Sequence, residues 1–403
     1  MKVCFLIQEH PFLDARIFQK EAKSLLKQGY EVTMIVPKIK GYLFDISGKK
    51  FIDSFNSDIF TYEGIKVITY EKFYPQRNLK NLNYNIQSGT YHRFDDPLTK
   101  IGIAQEADIY HAHEFFSLYS GIGIKRALKA TKAKDIKLIY DSHELDPDPN
   151  TTNKKITKTM IDMLQCMLKE VNYLITVSES IKAWYQKIAP NLPIEIIYNS
   201  PPFLSNLPFK KRKHETFSAV YEGIIHQTKG NFNKIIEITE LCNKEIDFRF
   251  RIIGGTKETE RDKLLIPSHL KDKIEILGWV DYTKLPFTFS DIDLGWIDLE
   301  AKYSLNHRFA MPNKFFSYLN NGVPVLVNSC DDMKKFIEYH QCGYVINKMH
   351  ASSKDYANAI IFLSRNKSKL EEMSTNARKI MKDVYNWGEM ERRLFKIYNN
   401  FKS

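Results

Sequence analysis

Short apolar runs alternate along this chain with longer stretches in which apolar side chains recur every three or four positions. The first pair is the run Val3 to Ile7 and the segment 14–28, where residues 18, 22, 25 and 26 share one helical face. Gly29 suits the stop of that helix, and a second strand is expected over 31–36. Such a βαβ opening predicts a parallel sheet with a right-handed crossover. The alternation returns with a strand ending at Tyr110, a loop over 111–114 and a helix over 117–129. A strand within 137–145 ends in polar residues. A helix over 154–170 follows, with Ile156, Met160, Met163, Leu164, Met167 and Leu168 on its apolar side. A further strand and helix lie in 173–185, with Ser178 or Ser180 as the cap. Residues 38–105 show only short apolar pieces punctuated by glycines. Within them, 73–94 is aromatic and basic, which suits either a sugar or lipid site or an irregular loop.

Prolines 201, 202 and 208 and the basic run Lys210 to Lys213 break the pattern at 196–217. A nuclear or nucleic-acid role for that run is weighed against a solvated linker between two α/β halves, and the linker is favoured by its position. Beyond it the alternation restarts: strands at 218–224, 248–255, 274–280 and 291–298, and a helix over 231–241. The densest punctuation is at 306–327. Pro312 precedes a short helix whose apolar residues 315, 316 and 319 make one buried face. Gly322 suits its left-handed stop, and the β-branched run to Val327 reads as a strand covered on both faces. The amino end of that helix offers unpaired N–H groups, and Lys314 stands in its first turn. That combination suits a phosphate. A last strand at 343–347 leads to helices over 356–363 and 369–384. A terminal helix at 385–401 carries Trp387, Met390, Leu394 and Tyr398 on one face.

At 403 residues the chain is too long for one ordinary core, and two domains are expected. The five cysteines are scattered and form no ligand pair, so reduced thiols are expected rather than disulfides or a zinc site. The apolar run near the amino end is too short for a signal-peptide core, and no apolar segment approaches the roughly 18 residues of a membrane span. A cytoplasmic location is expected, with peripheral contact at the inner membrane face compatible with the charge. The net charge of +11 favours anionic partners, and its division between both halves argues against a dedicated nucleic-acid arm. No GxGxxG follows the first strand, so nicotinamide chemistry is not expected. His111, His113 and His143 could be imagined around a metal, but no fixed spacing supports one.

The text PNKxFxYxxxGxPV from Pro312 resembles the donor-binding segment of GT-B glycosyltransferases of the family 4 type, often called group 1. The HPxxDxRIFxKEAxSL text from His10 and the HxHE text at 111–114 are similar to further segments of that family. The resemblance implies two Rossmann-like α/β domains facing each other across a cleft. They are expected at 1–203 (acceptor side) and 204–385 (donor side), with the helix 386–403 returning to the first. It implies retaining transfer of a sugar from a nucleoside diphosphate to a glycan or lipid-linked acceptor in cell-surface polysaccharide synthesis, with no metal, no cofactor beyond the donor substrate and no nucleic acid. His113 would contact the donor sugar, with Glu114 beside it. Lys229, Lys314 and the helix starting at Asn313 would serve the phosphates. Gly223, Gly254 and Val280 would edge the donor pocket. Asp14, Arg16 and His143 are the expected acceptor-side residues, although Asp14 equally suits a helix cap. The family's ribose-binding glutamate is replaced by Ser317, and a second family glutamate would fall at Phe309. A catalytically impaired partner subunit and a nucleotide-sugar epimerase are therefore the alternatives.

Overall fold

The computed structural model describes residues 1–205, 215–226, 231–257 and 264–402. The basic run at 210–213 lies outside the described residues. The chain divides into two compact units. The first comprises Met1–Tyr198, Tyr303–Asn306 and Glu391–Ser403, and the second Asn199–Lys302 and His307–Met390.

The sheet of the first unit is built from β1 (Lys2–Ile7), β2 (Glu31–Lys38), β3 (Ile59–Tyr62), β4 (Ile65–Glu71), β5 (Ile109–His113), β6 (Lys137–Asp141), β7 (Tyr173–Thr176) and β8 (Ile194–Ile196). Their order is β3-β4-β2-β1-β5-β6-β7-β8, all parallel except the β3–β4 hairpin. The central strands are buried along almost their whole length, as expected of a parallel sheet covered on both faces. The chain leaves β1 in one direction to β2 and returns to β5 on the other side, so the β1/β5 boundary is a topological switch point. Ligands of open α/β sheets collect at the carboxyl ends of the strands flanking such a point.

The second unit repeats the plan with β9 (Phe217–Ile224), β10 (Phe248–Gly255), β11 (Ile274–Gly278), β12 (Leu294–Ile297), β13 (Val325–Asn328) and β14 (Gly343–Ile346). The order is β11-β10-β9-β12-β13-β14, parallel throughout, with its switch point between β9 and β12. Trp296 of β12 is fully buried and meets Phe250 and Tyr356 edge to face, at ring separations of 5.7 and 5.4 Å. The neighbouring Gly295 lets the helix Asn313–Asn320 lie close on the strand. A Cβ there would fall 2.1 Å from the Tyr318 ring. That contact fixes the helix against the sheet.

Some local expectations are corrected. The segment at 111–114 is not all loop: His111 and His113 are the last inward-facing residues of β5, and only Glu114 stands outside it. The helix expected over 14–28 opens as a π-helical turn, Ile17–Ala22, before Lys23–Lys27. Residues 73–94 contain a helix, Leu79–Gln87, and Phe94 stacks on Tyr119 at 4.7 Å, so much of that segment is packing. The methionine-bearing helix Lys154–Leu168 buries Met163, Leu164, Met167 and Leu168 within its unit, which leaves little apolar face for a membrane. Among the described residues, no helix is long and apolar enough to cross one.

Candidate functional site

The carboxyl ends of β1, β5 and β6 gather ionisable side chains in two layers. The inner layer centres on Arg16, 1% exposed. Its guanidinium grips Asp141 with two nitrogens, at 2.9 to 3.1 Å. It also donates to the Ile197 carbonyl at 2.8 Å and pairs with Glu21 at 2.9 Å. A planar fork with five donors suits this bidentate grip. The resemblance places Arg16 on the acceptor side; the fold turns it inward, with each of its three nitrogens engaged. His111 and His113 stack 4.4 Å apart in the same layer, and the Tyr398 hydroxyl lies 2.8 Å from His111 Nδ1. His113, the expected sugar contact, has no exposed surface. Burial, with the His111 charge beside it, holds its pKa well below the usual imidazole range, so the ring is neutral. Burial pushes the Asp141 carboxyl up, but the Arg16 guanidinium and His143 outweigh it and hold the group well below its ordinary value.

The outer layer comprises His10, Asp14, Glu114 and His143. Asp14 caps the helix as expected, its Oδ1 accepting from the backbone N–H of Arg16 at 2.8 Å and of Ile17 at 3.0 Å. Its other oxygen lies 3.5 Å from His10 Nδ1. His10 Nε2 stands 3.7 Å from Glu114 Oε1, and His143 Nδ1 stands 3.7 Å from the same oxygen. His143 Nε2 in turn lies 3.1 Å from His113 Nδ1, which joins the layers. Burial opposes a charge on His10, but the carboxylates of Asp14 and Glu114 beside it raise its pKa to about 10. Burial pushes the Glu114 carboxyl up to about 8 against the pull of His10. It also lowers His143 to about 4 despite Asp141. The backbone of Glu114 is held at φ 70°, ψ 169°, a region otherwise used by glycine. Such strain persists where the surrounding structure imposes it, and it clusters at functional sites. Here it aims the carboxylate between two imidazoles.

Two ligand sets for a metal exist in this cluster: Glu21, His111, His113 and Asp141 inside, and His10, Glu114 and His143 outside. In the inner set Arg16 already pairs with both carboxylates, and burial beside Asp141 holds the Glu21 carboxyl well above its ordinary value. In the outer set a proton on His10, held by Asp14 and Glu114, competes for the place of a cation. Sequence reading assigned no role to His10 or Glu21, because the partners that place them in this cluster, Glu114 for His10 and His113 and Asp141 for Glu21, lie about a hundred residues away.

In the second unit, the carboxyl end of β9 meets the helix Asn313–Asn320. Among the described residues no side chain caps that helix, and Asn313 is exposed at its start. Lys314 reaches back so that its ammonium lies 3.9 Å from the Tyr221 ring centre and beside Gly223. Gly223 and Gly254 have φ of +123° and +111°, and a Cβ on Gly254 would fall 2.3 Å from the Gly223 carbonyl oxygen. The two backbones therefore approach as only glycines allow. Ser317 is buried one turn beyond Lys314. Val280 is half-buried just past β11. Lys229, expected at the phosphates, lies outside the described residues. The fold thus brings Gly223, Gly254, Lys314 and Ser317 together around one strand end. It adds a residue that the sequence reading missed: Glu222, beside Ser317 and Lys314.

A family model described as Glycosyltransferase Family 4 matches residues 15–200, and one described as Glycosyl transferases group 1 matches 207–380. Among solved structures, sucrose-phosphate synthase from Thermosynechococcus elongatus superposes with a TM-score of 0.69 at 12% identity, covering 99% of this chain and 98% of that one. HepE from Anabaena, solved in complex with UDP, gives 0.67 at 14% identity, covering 99% and 100%. TarM from S. aureus, solved as a mutant in complex with Fondaparinux, alpha-GlcNAc-glycerol and UDP, gives 0.60 at 14% identity, covering 100% of both. These likenesses show the fold. No curated protein matches the sequence.

Proposed function

The chain is a glycosyltransferase of the group 1 family, built on the GT-B fold, and from that premise we propose that it moves a sugar, with retention, from a nucleoside diphosphate to a hydroxyl of a glycan or lipid-linked acceptor in polysaccharide synthesis. The observation that carries the reading is the strand-end site of the second unit. An uncapped helix start, a lysine and two glycines without side chains suit a diphosphate approaching the backbone. HepE is solved with UDP and with UDP-glucose, and this chain shares that fold.

In this reading the bond from the anomeric carbon to the β-phosphate oxygen breaks, and its electron pair leaves with the diphosphate. Lys314, Lys229 and the N–H groups at Asn313 stabilise that charge. A bond forms from the acceptor oxygen to the same carbon. The acceptor's proton passes to Glu114, which His10 and His143 hold in place, while Arg16, Asp141 and His113 fix that arrangement from below. Asp14 keeps His10 charged. No metal has a step in this scheme.

The test is incubation of the full chain with UDP-, GDP- and ADP-sugars, with and without oligosaccharide and lipid-linked acceptors, while released nucleoside diphosphate is measured and the product anomer is read by NMR. Acceptor-dependent release with retention is expected, and Lys314→Ala slows it. An epimerised donor without any acceptor would instead support the epimerase reading. The impaired-subunit reading predicts no release with any donor.

A further inference from the structure

The outer layer of the first unit's site brings three donor atoms toward one point. His10, in the loop after β1, turns its Nε2 toward Glu114 Oε1 at 3.7 Å, and His143, beyond β6, turns its Nδ1 toward the same oxygen at 3.7 Å. One ligand atom from each of the three residues lies within 4.8 Å of the other two. Separations of 3.7 Å are too long for hydrogen bonds. They come near the spacing of about 3.4 Å that a tetrahedral ion with bonds of about 2.1 Å imposes on its ligands. His10 Nε2 is buried and has no hydrogen-bond partner among the described residues. A buried ring nitrogen in that state is an unmade bond. The far nitrogen of each ring faces a carboxylate: His10 Nδ1 lies 3.5 Å from Asp14, and His143 Nε2 lies 3.4 Å from Asp141. A carboxylate behind each imidazole is the arrangement that fixes ring orientation and tautomer in metal sites. The side chains of His10 and His143 are 24% and 13% exposed, so the cluster is reachable from solvent.

We propose that His10, Glu114 and His143 bind a divalent transition-metal ion, and that Zn²⁺ at this place shuts off the transfer. Two imidazole nitrogens and one carboxylate oxygen are the donors of a borderline-soft ion, whereas Mg²⁺ and Ca²⁺ prefer shells of oxygen. The inner set differs, because Arg16 already engages Asp141 and Glu21 there. The ion takes the place of the proton on His10, which leaves to solvent, and Asp14 then orients the neutral ring. The two imidazoles, whose ring centres are 4.7 Å apart, swing together to complete the site. Binding stands on this geometry alone, while its effect on turnover rests on the reading of Glu114 as the base. With its oxygen on the ion, Glu114 no longer receives the acceptor's proton.

The full chain, without an affinity tag and with its thiols reduced, is titrated with Co²⁺ under visible absorption and with Zn²⁺ in a calorimeter. The d–d bands of a low-coordinate Co²⁺ centre are expected, displaced by one Zn²⁺ per chain and not by Mg²⁺ or Ca²⁺ in large excess. Glu114→Gln and His143→Gln should each weaken Zn²⁺ binding at least about a hundred-fold, and Asp14→Asn, behind His10, about ten-fold. Circular dichroism melts confirm that each variant is folded. A thiolate-to-cobalt charge-transfer band would place the ion on a cysteine such as the half-buried Cys166 and overturn the assignment. So would unweakened binding in either folded ligand variant, or no binding of Co²⁺ and Zn²⁺ by the unaltered chain, and each of these leaves the transferase reading standing. With a working donor and acceptor, Zn²⁺ should suppress turnover and EDTA restore it. Unchanged turnover at full Zn²⁺ occupancy would overturn the shut-off. Absence of turnover with every donor would overturn the transferase reading and the shut-off with it, while the metal site stands or falls by its Co²⁺ spectrum.

Discussion

The two strand-end sites lie at the switch points of two sheets whose central strands follow the same order, yet they are made of opposite materials. The first unit gathers histidines, carboxylates and an arginine in contact with one another, most of them buried. The second unit gathers glycines, a helix start and a lysine, with one carboxylate set apart. A network of paired charges positions protons and resists rearrangement. An uncapped helix start beside a lysine has the charge that suits an anion. The contrast teaches that the shared fold fixes where chemistry happens, and that residue type at each strand end decides which chemistry.

If the contrast is right, mutations in the first site should cost folding and those in the second should cost binding. The largest effect is expected for Arg16→Ala. It strands Asp141 and Glu21 in the interior and should lower stability by about 3–5 kcal/mol in urea unfolding. Lys314→Ala should leave that transition within about 0.5 kcal/mol. Next, Lys229→Ala should slow turnover about a hundred-fold while the melting curve is unchanged; wild-type rates would remove it from the phosphate site. Glu114→Gln sharpens the comparison through pH. Burial pushes the Glu114 carboxyl up to about 8, so it is protonated below that pH and becomes a base above it. Turnover should therefore rise as pH increases through about 8, and the variant should lose that limb. A flat profile in the unaltered enzyme would dismiss Glu114 as the base. The smallest effect is expected for Asp14→Ala, which removes a cap and should cost about 1 kcal/mol of stability.

Much of the fold was readable from periodicity, because parallel strands and their covering helices differ so plainly in spacing. The sequence at Asn313 was legible for the same reason: proline, apolar face, glycine and β-branched run each act locally. What failed was non-local. The HAHE text looked like a polar loop, and the histidines prove to be strand residues because Asp141, Tyr398 and each other make their burial tolerable. Residues 38–105 resisted reading because their order comes from aromatic packing at a distance: Phe55, Phe60 and Tyr62 close on Phe12. Glu222 carried no signal in its own surroundings. Ser317, which bears on its charge, stands 95 positions later.

The central claim is that the second unit's strand end receives a nucleoside diphosphate, and a crystal structure of the chain with the tightest-binding of UDP, GDP and ADP tests it most directly. The account predicts phosphate oxygens within hydrogen-bond distance of the N–H groups at Asn313 and Lys314 and of the Lys314 ammonium, with Gly223 alongside. Phosphates seated instead among His10, Glu114 and His143, or on a surface away from β9, would contradict it.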